Sequence, residues 1–448
     1  MLREGVRRVL GGDTALDPVH TLITLSIMNH PFAPTPSSSL TFDTHRLNFL
    51  YSSLHRRRKS NGRGGAAQLP LTSGASFGTG QYFVSLSLGT PPQPFLLVAD
   101  TGSDLIWVEC SACRNCSRRS PDSALFARHS STFSPYHCYD PACDFVPHPA
   151  NLTCNHTRRH STCRYEYSYS DGSFTSGFYS RETASFNTSS GKGVRFKKLS
   201  FGCGFNTSGP SLTGPGFNGA RGVLGLGLGP ISFPSQLGKT FGNKFSYCLM
   251  DYTISPSPTS YLLIGGGLMG PTVKKSYTPI INNTLSTTFY YIGIESVYVD
   301  DTRLPISPSV WDIDEFGNGG TVLDSGTTLT FLVQPAYDKV VQEFERRVKL
   351  PRSGDPSPTF DFCINVSRVS NLTLPTLSFK LVGGARLSPP PQNYFIDTEE
   401  DVKCLALQPV TQPSGFSLLG NLMQQGFMFE FDKGRGRLGF SRHGCSEH

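Results

Sequence analysis

Short apolar runs bounded by glycine, proline and asparagine dominate the chain from about residue 81 onward. Tyr82 to Leu88 and Phe95 to Ala99 are alternating or continuous apolar runs, and both predict β-strands. After Pro335 the spacing is helical instead, with an apolar stripe at Tyr337, Val340, Val341, Phe344 and Val348. The pattern therefore predicts an all-β fold with one convincing helix.

The chain also contains a degenerate internal repeat. One apolar run enters Asp100-Thr101-Gly102-Ser103, and a second enters Asp324-Ser325-Gly326-Thr327. An apolar pair and a glycine follow in each half, at Val223 to Gly225 and at Leu418 to Gly420. We therefore predict two similar β lobes rather than one continuous sheet, and we assign them to residues 76–272 and 273–448.

Residues 1–75 differ from the lobes in their pattern of apolar and polar residues and in their charge. The net charge of the chain is +7, and residues 1–76 hold nine Lys and Arg against four Asp and Glu, so most of the excess lies there. A nucleic-acid binder would need a basic face on its folded part, so we expect no nucleic-acid partner. One helical patch is present, at Leu47, Leu50, Tyr51 and Leu54.

We assign residues 1–75 to targeting and to an inhibitory prosegment. A basic peptide suits a cleft built around carboxylates, and we expect cleavage after Lys59 and before the strand at Tyr82. A signal peptide is not clearly present: the nearest apolar core, Thr21 to Met28, lies behind about twenty polar residues. No stretch approaches the roughly 18 apolar residues of a membrane span, so we expect no membrane anchor.

Cysteines and glycosylation sequons indicate the compartment. The twelve cysteines are an even set, which together with eight Asn-x-Ser/Thr sequons predicts a disulfide-bonded glycoprotein of the secretory pathway, extracellular or vacuolar. The candidate glycosylation sites are Asn115, Asn151, Asn155, Asn187, Asn206, Asn282, Asn365 and Asn371.

Cys110-x-x-Cys113-x-x-Cys116 admits two interpretations, a metal or iron–sulfur site and a set of disulfides. The fourth cysteine that the bacterial ferredoxin run places three residues later is missing. We favour disulfides and predict neither a metal nor a cofactor.

The paired Asp-(Thr/Ser)-Gly-(Ser/Thr) motifs carry the candidate chemistry. Hydrolysis of an amide by water needs a base that takes a proton from the water and an acid that protonates the departing nitrogen. Two carboxyl groups held close together keep one shared proton, so Asp100 and Asp324 can supply both roles. The remaining motif residues are predicted to support them through main-chain N–H groups, hydroxyl donors and a brace between the turns: Thr101, Gly102, Ser103, Ser325, Gly326 and Thr327.

From about Gly78 to Cys445 the chain resembles the pepsin family of aspartic endopeptidases, and its cysteine-rich first half is similar to the plant nepenthesin-like branch. The resemblance implies a bilobal pepsin-like acid protease fold with the cleft between the lobes. Trp107 matches the tryptophan behind the active site, and Tyr169 matches the tyrosine of the flap. The flap would comprise Tyr169, Ser170, Asp171 and Gly172.

The same resemblance implies that Cys363 pairs with Cys404 and Cys248 with Cys445, which leaves 105 pairings open for the other eight cysteines. The expected function is a monomeric aspartic endopeptidase, made as a zymogen, that acts on polypeptide substrates. Relatives that lost catalytic residues act as inhibitors, so a non-catalytic binding protein on the same fold is the alternative.

Overall fold

The structure is a computed structural model that describes residues 67–74, 80–111, 124–149, 154, 161–169, 172–187, 193–213, 217, 220–251, 253, 259–265, 274–353, 360–410, 415–442 and 445. Strands dominate these residues, as predicted. None of the helices in the described ranges has the length and apolar character that crossing a membrane requires.

The described residues of the first half form eleven strands and two α-helices. They are β1 (Ala67–Ser73), β2 (Tyr82–Leu88), β3 (Gln93–Asp100), β4 (Trp107–Glu109), β5 (Ser134–Pro135), β6 (Arg164–Ser168), β7 (Phe174–Asn187), β8 (Gly193–Ser208), α1 (Pro210–Thr213), β9 (Gly222–Gly225), α2 (Phe233–Phe241), β10 (Lys244–Cys248) and β11 (Ser260–Ile264). Two 3-10 helices lie between β4 and β6, at Ala127–His129 and Pro141–Phe145.

The second half continues in the same style. Its elements are β12 (Ser276–Ile281), β13 (Tyr291–Ile292), β14 (Ile294–Val299), β15 (Thr302–Arg303), β16 (Thr321–Leu323), β17 (Thr330–Val333), α3 (Gln334–Arg347), β18 (Cys363–Asn365), β19 (Leu377–Leu381), β20 (Arg386–Leu387), β21 (Phe395–Glu399), β22 (Val402–Leu405), β23 (Leu407–Val410), β24 (Ser417–Leu419), α4 (Asn421–Gln424), β25 (Met428–Asp432) and β26 (Arg437–Ser441). Two more 3-10 helices lie at Pro308–Trp311 and Pro391–Asn393.

The two strands and the helix read from the apolar pattern are confirmed as β2, β3 and α3. In β3 the side chains of Phe95, Leu97 and Val98 are buried, which explains the nearly continuous apolar run. In α3, Tyr337, Val340 and Phe344 are buried, as expected of the apolar stripe of a helix that packs on a sheet.

A repeated strand arrangement underlies the internal sequence repeat. In the first half β3 runs parallel to β9, β9 antiparallel to β4, and β4 parallel to β8. In the second half β16 runs parallel to β24, β24 antiparallel to β17, and β17 parallel to β23. The apolar pairs predicted to follow each motif are the strands β9 and β24, which flank the strands that enter the two aspartates.

A run of antiparallel strands links the halves, in the order β2, β1, β11, β10, β25, β26 and β12. At its centre Phe245 of β10 stacks on Phe431 of β25, with ring centroids 4.5 Å apart. The ring of Tyr290 lies 4.5 Å from that of Phe431. This shared apolar layer holds the two halves in register, and with them the two aspartate loops.

Residues 67–73 differ from the sequence prediction, which placed them in the N-terminal segment. They form β1, which pairs with β2 and β11 and buries Leu69 and Leu71. Pro70 hid this signal, since proline disfavours central strands. The helical patch from Leu47 lies outside the described residues, as do the lobe limits at 75/76 and 272/273, so those limits stay predictions.

Candidate active site

Asp100 ends β3, and the chain turns immediately after it through residues 100–103, the first aspartate loop. The main-chain N–H of Gly102 donates to Asp100 Oδ1 at 2.8 Å, and the Ser103 hydroxyl donates to Asp100 Oδ2. Asp100 is 8% exposed. Both carboxyl oxygens therefore have a donor from within the loop, which holds the side chain in one orientation.

The second aspartate loop, residues 324–327, reproduces these contacts after β16. Gly326 N–H donates to Asp324 Oδ1 at 2.9 Å, and Thr327 Oγ1 donates to Asp324 Oδ2 at 2.6 Å. Asp324 is 7% exposed. Two segments 224 residues apart thus present matching carboxyl groups, as the repeated motif predicts.

The two loops face each other closely enough that glycine is required in both. A Cβ atom on Gly102 would lie 2.8 Å from Asp324 Oδ1, and one on Gly326 would lie 2.2 Å from Asp100 Oδ1. Distances of this size lie inside van der Waals contact. Each glycine therefore makes room for the carboxyl group of the opposite loop, and the two carboxyl groups share one site.

Thr101 and Ser325 brace the loops by reciprocal hydrogen bonds. Ser325 N–H donates to Thr101 Oγ1 at 2.9 Å, and Thr101 N–H donates to Ser325 Oγ at 3.1 Å. Their hydroxyls donate onward to main-chain carbonyls, Ser325 to Ala99 at 2.9 Å and Thr101 to Leu323 at 3.3 Å. All four groups are buried, so breaking any bond would leave an unpaired polar atom.

Burial and mutual repulsion raise the pKa values of the pair. Burial raises the pKa of Asp100, and the negative charge of Asp324 raises it further. Burial raises the pKa of Asp324 too, but hydrogen bonds from Thr327, Gly326 and Asp100 act against that rise. The arrangement favours a single proton shared by the two carboxyl groups, which titrate as a unit.

Sequence reasoning missed Asp104, a second buried acid beside the first aspartate loop. Asp104 Oδ1 accepts from Gly229 N–H at 2.9 Å, and Oδ2 accepts from Thr288 Oγ1 of the second half at 2.7 Å. Burial raises its pKa, and the charge of Lys433 partly lowers it. An acid directly before the buried run Leu105 to Val108 was the available signal.

Two amides behind the second loop were missed as well. Gln424 Nε2 donates to Asp324 O at 3.0 Å and to Leu419 O at 2.9 Å. Asn421 Nδ2 donates to Ser325 O at 3.1 Å. Both side chains are fully buried and belong to α4, which follows the repeated Leu-Leu-Gly. Polar residues so close to that repeat were the only signal.

The predicted flap is the hairpin of β6 and β7, which pair up to Ser168 opposite Phe174. Trp107 Nε1 donates to the Tyr169 hydroxyl oxygen at 2.7 Å, so the two residues named from the resemblance are in contact. Gly172 has φ +78°, in the left-handed region that glycine tolerates. Ser170 and Asp171 lie outside the described residues.

The cysteines are joined as disulfides wherever the structure describes them. Cys363 is bonded to Cys404 and Cys248 to Cys445, the pairs that the resemblance implies. The other bonds join Cys110 to Cys203, Cys138 to Cys154, and Cys143 to Cys163. Cys110 is thus engaged in a disulfide, while Cys113 and Cys116 lie outside the described residues.

The described candidate glycosylation sites all occur at or near the surface. Asn187, Asn282 and Asn371 are exposed, and Asn206 and Asn365 are half-buried. Asn115, Asn151 and Asn155 lie outside the described residues. Cys143, His148 and Cys163 are grouped at the spacing of a metal site, but the two sulfurs are bonded to each other and cannot act as thiolate ligands.

Comparison with known proteins agrees with this geometry. Residues 82–266 match the family model Xylanase inhibitor N-terminal, and residues 289–442 match Xylanase inhibitor C-terminal. Aspartyl protease family protein 2 of Arabidopsis thaliana is 38% identical over 388 residues, covering 86% of this chain and 75% of that protein. Aspartic proteinase nepenthesin-1 of Nepenthes gracilis is 39% identical over 371 residues, covering 82% and 79%.

Solved structures show the same fold at lower identity. Edgp superposes with a TM-score of 0.69 at 22% identity, covering 86% of this chain and 96% of that one. Basic 7S globulin from soybean superposes with a TM-score of 0.65 at 20% identity, covering 86% and 99%. Fold and paired aspartates together define the pepsin-like class. Within that class, the chain belongs to the plant pepsin-like aspartic protease family.

Proposed function

We propose that this protein is an aspartic endopeptidase in which Asp100 and Asp324 activate water to hydrolyse peptide bonds. The observation that carries the proposal is the reciprocal fit of the two loops, in which each glycine leaves room for the opposite carboxyl group. Such closeness gives the pair one shared proton, so an acid and a base stand at the same point.

The chemistry assigns different roles to the two carboxyl groups. The ionised carboxylate of the pair takes a proton from the attacking water. The other carboxyl group, which holds the shared proton, donates it to the substrate carbonyl oxygen as the hydroxide adds to the carbon. When the tetrahedral intermediate breaks down, the proton taken from water passes to the departing nitrogen as the C–N bond breaks, and a hydroxyl of the intermediate returns its proton to the other carboxylate, so the pair is singly protonated again.

The pH dependence follows from the pair. Activity requires one proton, so it falls when the pair gains a second proton in strong acid and when the pair loses its one proton as pH rises. Because burial and the charge of Asp324 raise the pKa of Asp100, the upper limb lies well above the usual aspartate value of about 4. We expect a bell-shaped profile with its maximum on the acid side.

Cleavage of a denatured protein tests the proposal. The mature enzyme should degrade it at about pH 3 to 5, and a statine-type peptide, which mimics the tetrahedral intermediate, should block the reaction. A protein that is folded by circular dichroism yet cleaves nothing between acid and neutral pH would overturn the assignment.

The family models carry the name of xylanase inhibitors, and this supports the alternative of a non-catalytic binding protein. A non-catalytic binding protein would not need two opposed aspartates, nor a glycine in each loop that leaves room for the opposite carboxyl group. Xylanase inhibition by the Asp100→Ala variant, with no proteolysis by the native chain, would favour the alternative.

We further propose that the enzyme is made as a zymogen whose basic N-terminal segment occupies the cleft. The structure narrows the expected cleavage to the stretch after Lys59 and before Ala67, because β1 belongs to the folded sheet. N-terminal sequencing of acid-treated precursor tests this. An active enzyme that still begins before Leu47 would refute the prosegment, and normal processing of the Asp100→Ala precursor would show that another protease cuts it.

The disulfides suit an oxidising compartment, so we propose an extracellular or vacuolar enzyme. Glycans are expected first at the exposed sequons Asn187, Asn282 and Asn371. A shift in mass after endoglycosidase treatment of the protein from plant tissue measures them, and no shift would remove the glycoprotein assignment.

A further inference from the structure

Three tyrosines lie on the first strand of the flap hairpin and the residue after it, at Tyr165, Tyr167 and Tyr169. Alternate residues of a strand point to the same face, so the three side chains share one face of the hairpin. Their hydroxyls have different partners. The Tyr165 hydroxyl lies 3.1 Å from Thr175 Oγ1, Tyr167 accepts from Asp104 N–H at 3.2 Å, and Tyr169 accepts from Trp107 Nε1.

Tyr167 contacts the first aspartate loop directly. Its phenol oxygen accepts the main-chain N–H of Asp104, the residue that follows the loop. The ring packs edge-on against Tyr169, with centroids 5.4 Å apart. Tyr167 thus connects the flap to the segment that follows Ser103, and its side chain keeps partial exposure.

The hydroxyl hydrogen of Tyr167 has no acceptor among the residues that the structure describes. Burial and the negative charge of Asp104 raise the pKa of this phenol, and Asp100 adds to the rise, so it stays protonated and remains a donor. Its free hydrogen suits an acceptor on a ligand. A carboxylate ligand would be repelled by the negative charge of the aspartate pair, whereas a neutral carbonyl oxygen would not.

We propose that Tyr167 is a substrate-binding residue of the flap, whose hydroxyl donates a hydrogen bond to a main-chain carbonyl oxygen of the bound peptide. This inference rests on the proposed peptidase function. The Asp104 N–H and the packing against Tyr169 hold the phenol in place before substrate arrives, so little side-chain freedom is lost on binding. Tyr167 then contributes to affinity for extended peptides while Asp100 and Asp324 perform the chemistry.

Tyr167→Phe tests this by removing the hydroxyl and keeping the ring. We expect kcat/KM for a fluorogenic peptide to fall about three- to tenfold, the size of one neutral hydrogen bond, mainly through a higher KM. Tyr165→Phe is the matched control, because it removes a buried hydroxyl from the same strand, and Thr175 is the one hydrogen-bond partner of that hydroxyl among the described residues. Its KM should match that of the wild type.

A thioamide scan separates substrate binding from a purely structural role. Replacing the peptide's non-scissile carbonyl oxygens by sulfur, one at a time, weakens one acceptor in each substrate. At one position the thioamide should lower the activity of the wild type more than that of Tyr167→Phe, because the variant lacks the hydroxyl donor. The difference between the two losses is the coupling energy, which should not be zero. Equal losses for both enzymes at every position would overturn the inference, as would a change in KM that merely follows a lower melting temperature.

The outcome is separable from that of the proposed function. If the wild type cleaves peptides and Tyr167→Phe matches it, only this inference fails. If the wild type cleaves none, the peptidase assignment fails, and calorimetry with a statine-type peptide tests the inference instead. Weaker binding of that peptide by Tyr167→Phe than by Tyr165→Phe supports the inference, and equal affinities contradict it.

Discussion

Main-chain N–H groups back the first aspartate loop, whereas the second is backed by side-chain amides as well as by main chain, where Asn421 N–H donates to Thr327 O at 2.7 Å. Leu226 N–H donates to Asp100 O at 2.7 Å, and Gly227 N–H donates to Ser103 O at 2.9 Å. Behind the second loop, the amides of Gln424 and Asn421 donate to the carbonyl oxygens of residues 324 and 325.

The residues after the repeated apolar pair explain this difference. In the first half the segment runs through bends and turns from Gly227 to Ile231, and a Cβ on Gly229 would lie 2.1 Å from Asp104 Oδ2, so glycine allows the main chain to come close to the buried acid. In the second half α4 begins at Asn421, and its side chains span the gap instead. The corresponding carbonyl groups of Asp100 and Asp324 are therefore satisfied by different means, the first by a main-chain N–H and the second by a side-chain amide.

The largest effect is expected from the two aspartates themselves. Asp100→Ala and Asp324→Ala each remove one acid/base role, so activity should fall at least about a hundredfold in both. The measurement is kcat/KM on a peptide substrate with matched circular dichroism. Comparable activity in either variant and the wild type would show that the pair does not carry the chemistry.

The glycines are expected to come next, and they sharpen the comparison. Gly326→Ala places a Cβ 2.2 Å from Asp100 Oδ1, and Gly102→Ala places one 2.8 Å from Asp324 Oδ1. The carboxyl groups must shift, and displacements near 1 Å can reduce rates by about a hundredfold. We expect a loss of about tenfold or more for Gly326→Ala and a smaller loss for Gly102→Ala. The reverse order in kcat would contradict the geometry.

Gln424→Met probes the side-chain backing of the second loop. The change leaves the carbonyl oxygens of Asp324 and Leu419 without this donor, and it removes the acceptor of the Tyr247 hydroxyl. Unpaired buried groups cost about 1–3 kcal/mol each, so the free energy of unfolding should fall by at least about 1 kcal/mol. Urea denaturation measures it, and an unchanged midpoint would show that the amide is dispensable.

Asp104→Asn probes the first loop and should have the smallest effect. Burial raises the pKa of Asp104 in the folded state, so its protonated form favours folding, and that stability is lost as pH rises through the raised pKa. Asparagine does not ionise, its Oδ1 can still accept from Gly229, and the Thr288 hydroxyl, which donates to Oδ2 of the native carboxylate, can turn and accept from the amide instead. The melting temperature of the variant should therefore exceed that of the wild type by about 2 °C or more between about pH 4 and 7.

Lys433 supplies the control for that comparison. Its positive charge lowers the pKa of Asp104, and burial lowers its own pKa to about 8, so it remains largely charged throughout this range. Removing the charge in Lys433→Met should steepen the loss of stability with pH. A melting-temperature difference between Asp104→Asn and wild type that stays constant with pH would show that Asp104 does not titrate in this window.

Local patterns were enough for the elements and for the paired motif. Strands β2 and β3 and helix α3 follow from apolar periodicity, because the side chains that define it lie within a few positions of one another. Strand β1 is not identified by periodicity, because Pro70 interrupts the apolar pattern. Its pairing with β2 and β11 is needed to define it. The brace between Thr101 and Ser325 could be predicted from the sequence because both residues belong to the repeated motif.

The sequence by itself determined that the chain forms mainly β-strands, and it determined the two aspartate loops and the glycines that each loop needs. Only the tertiary structure decided which distant groups complete the site. Asp104 meets Thr288 across 184 positions, and Cys110 meets Cys203 across 93. No local periodicity encodes such pairs, because they depend on how the sheet packs the two halves together. A buried polar side chain takes its role from whatever partner that packing supplies.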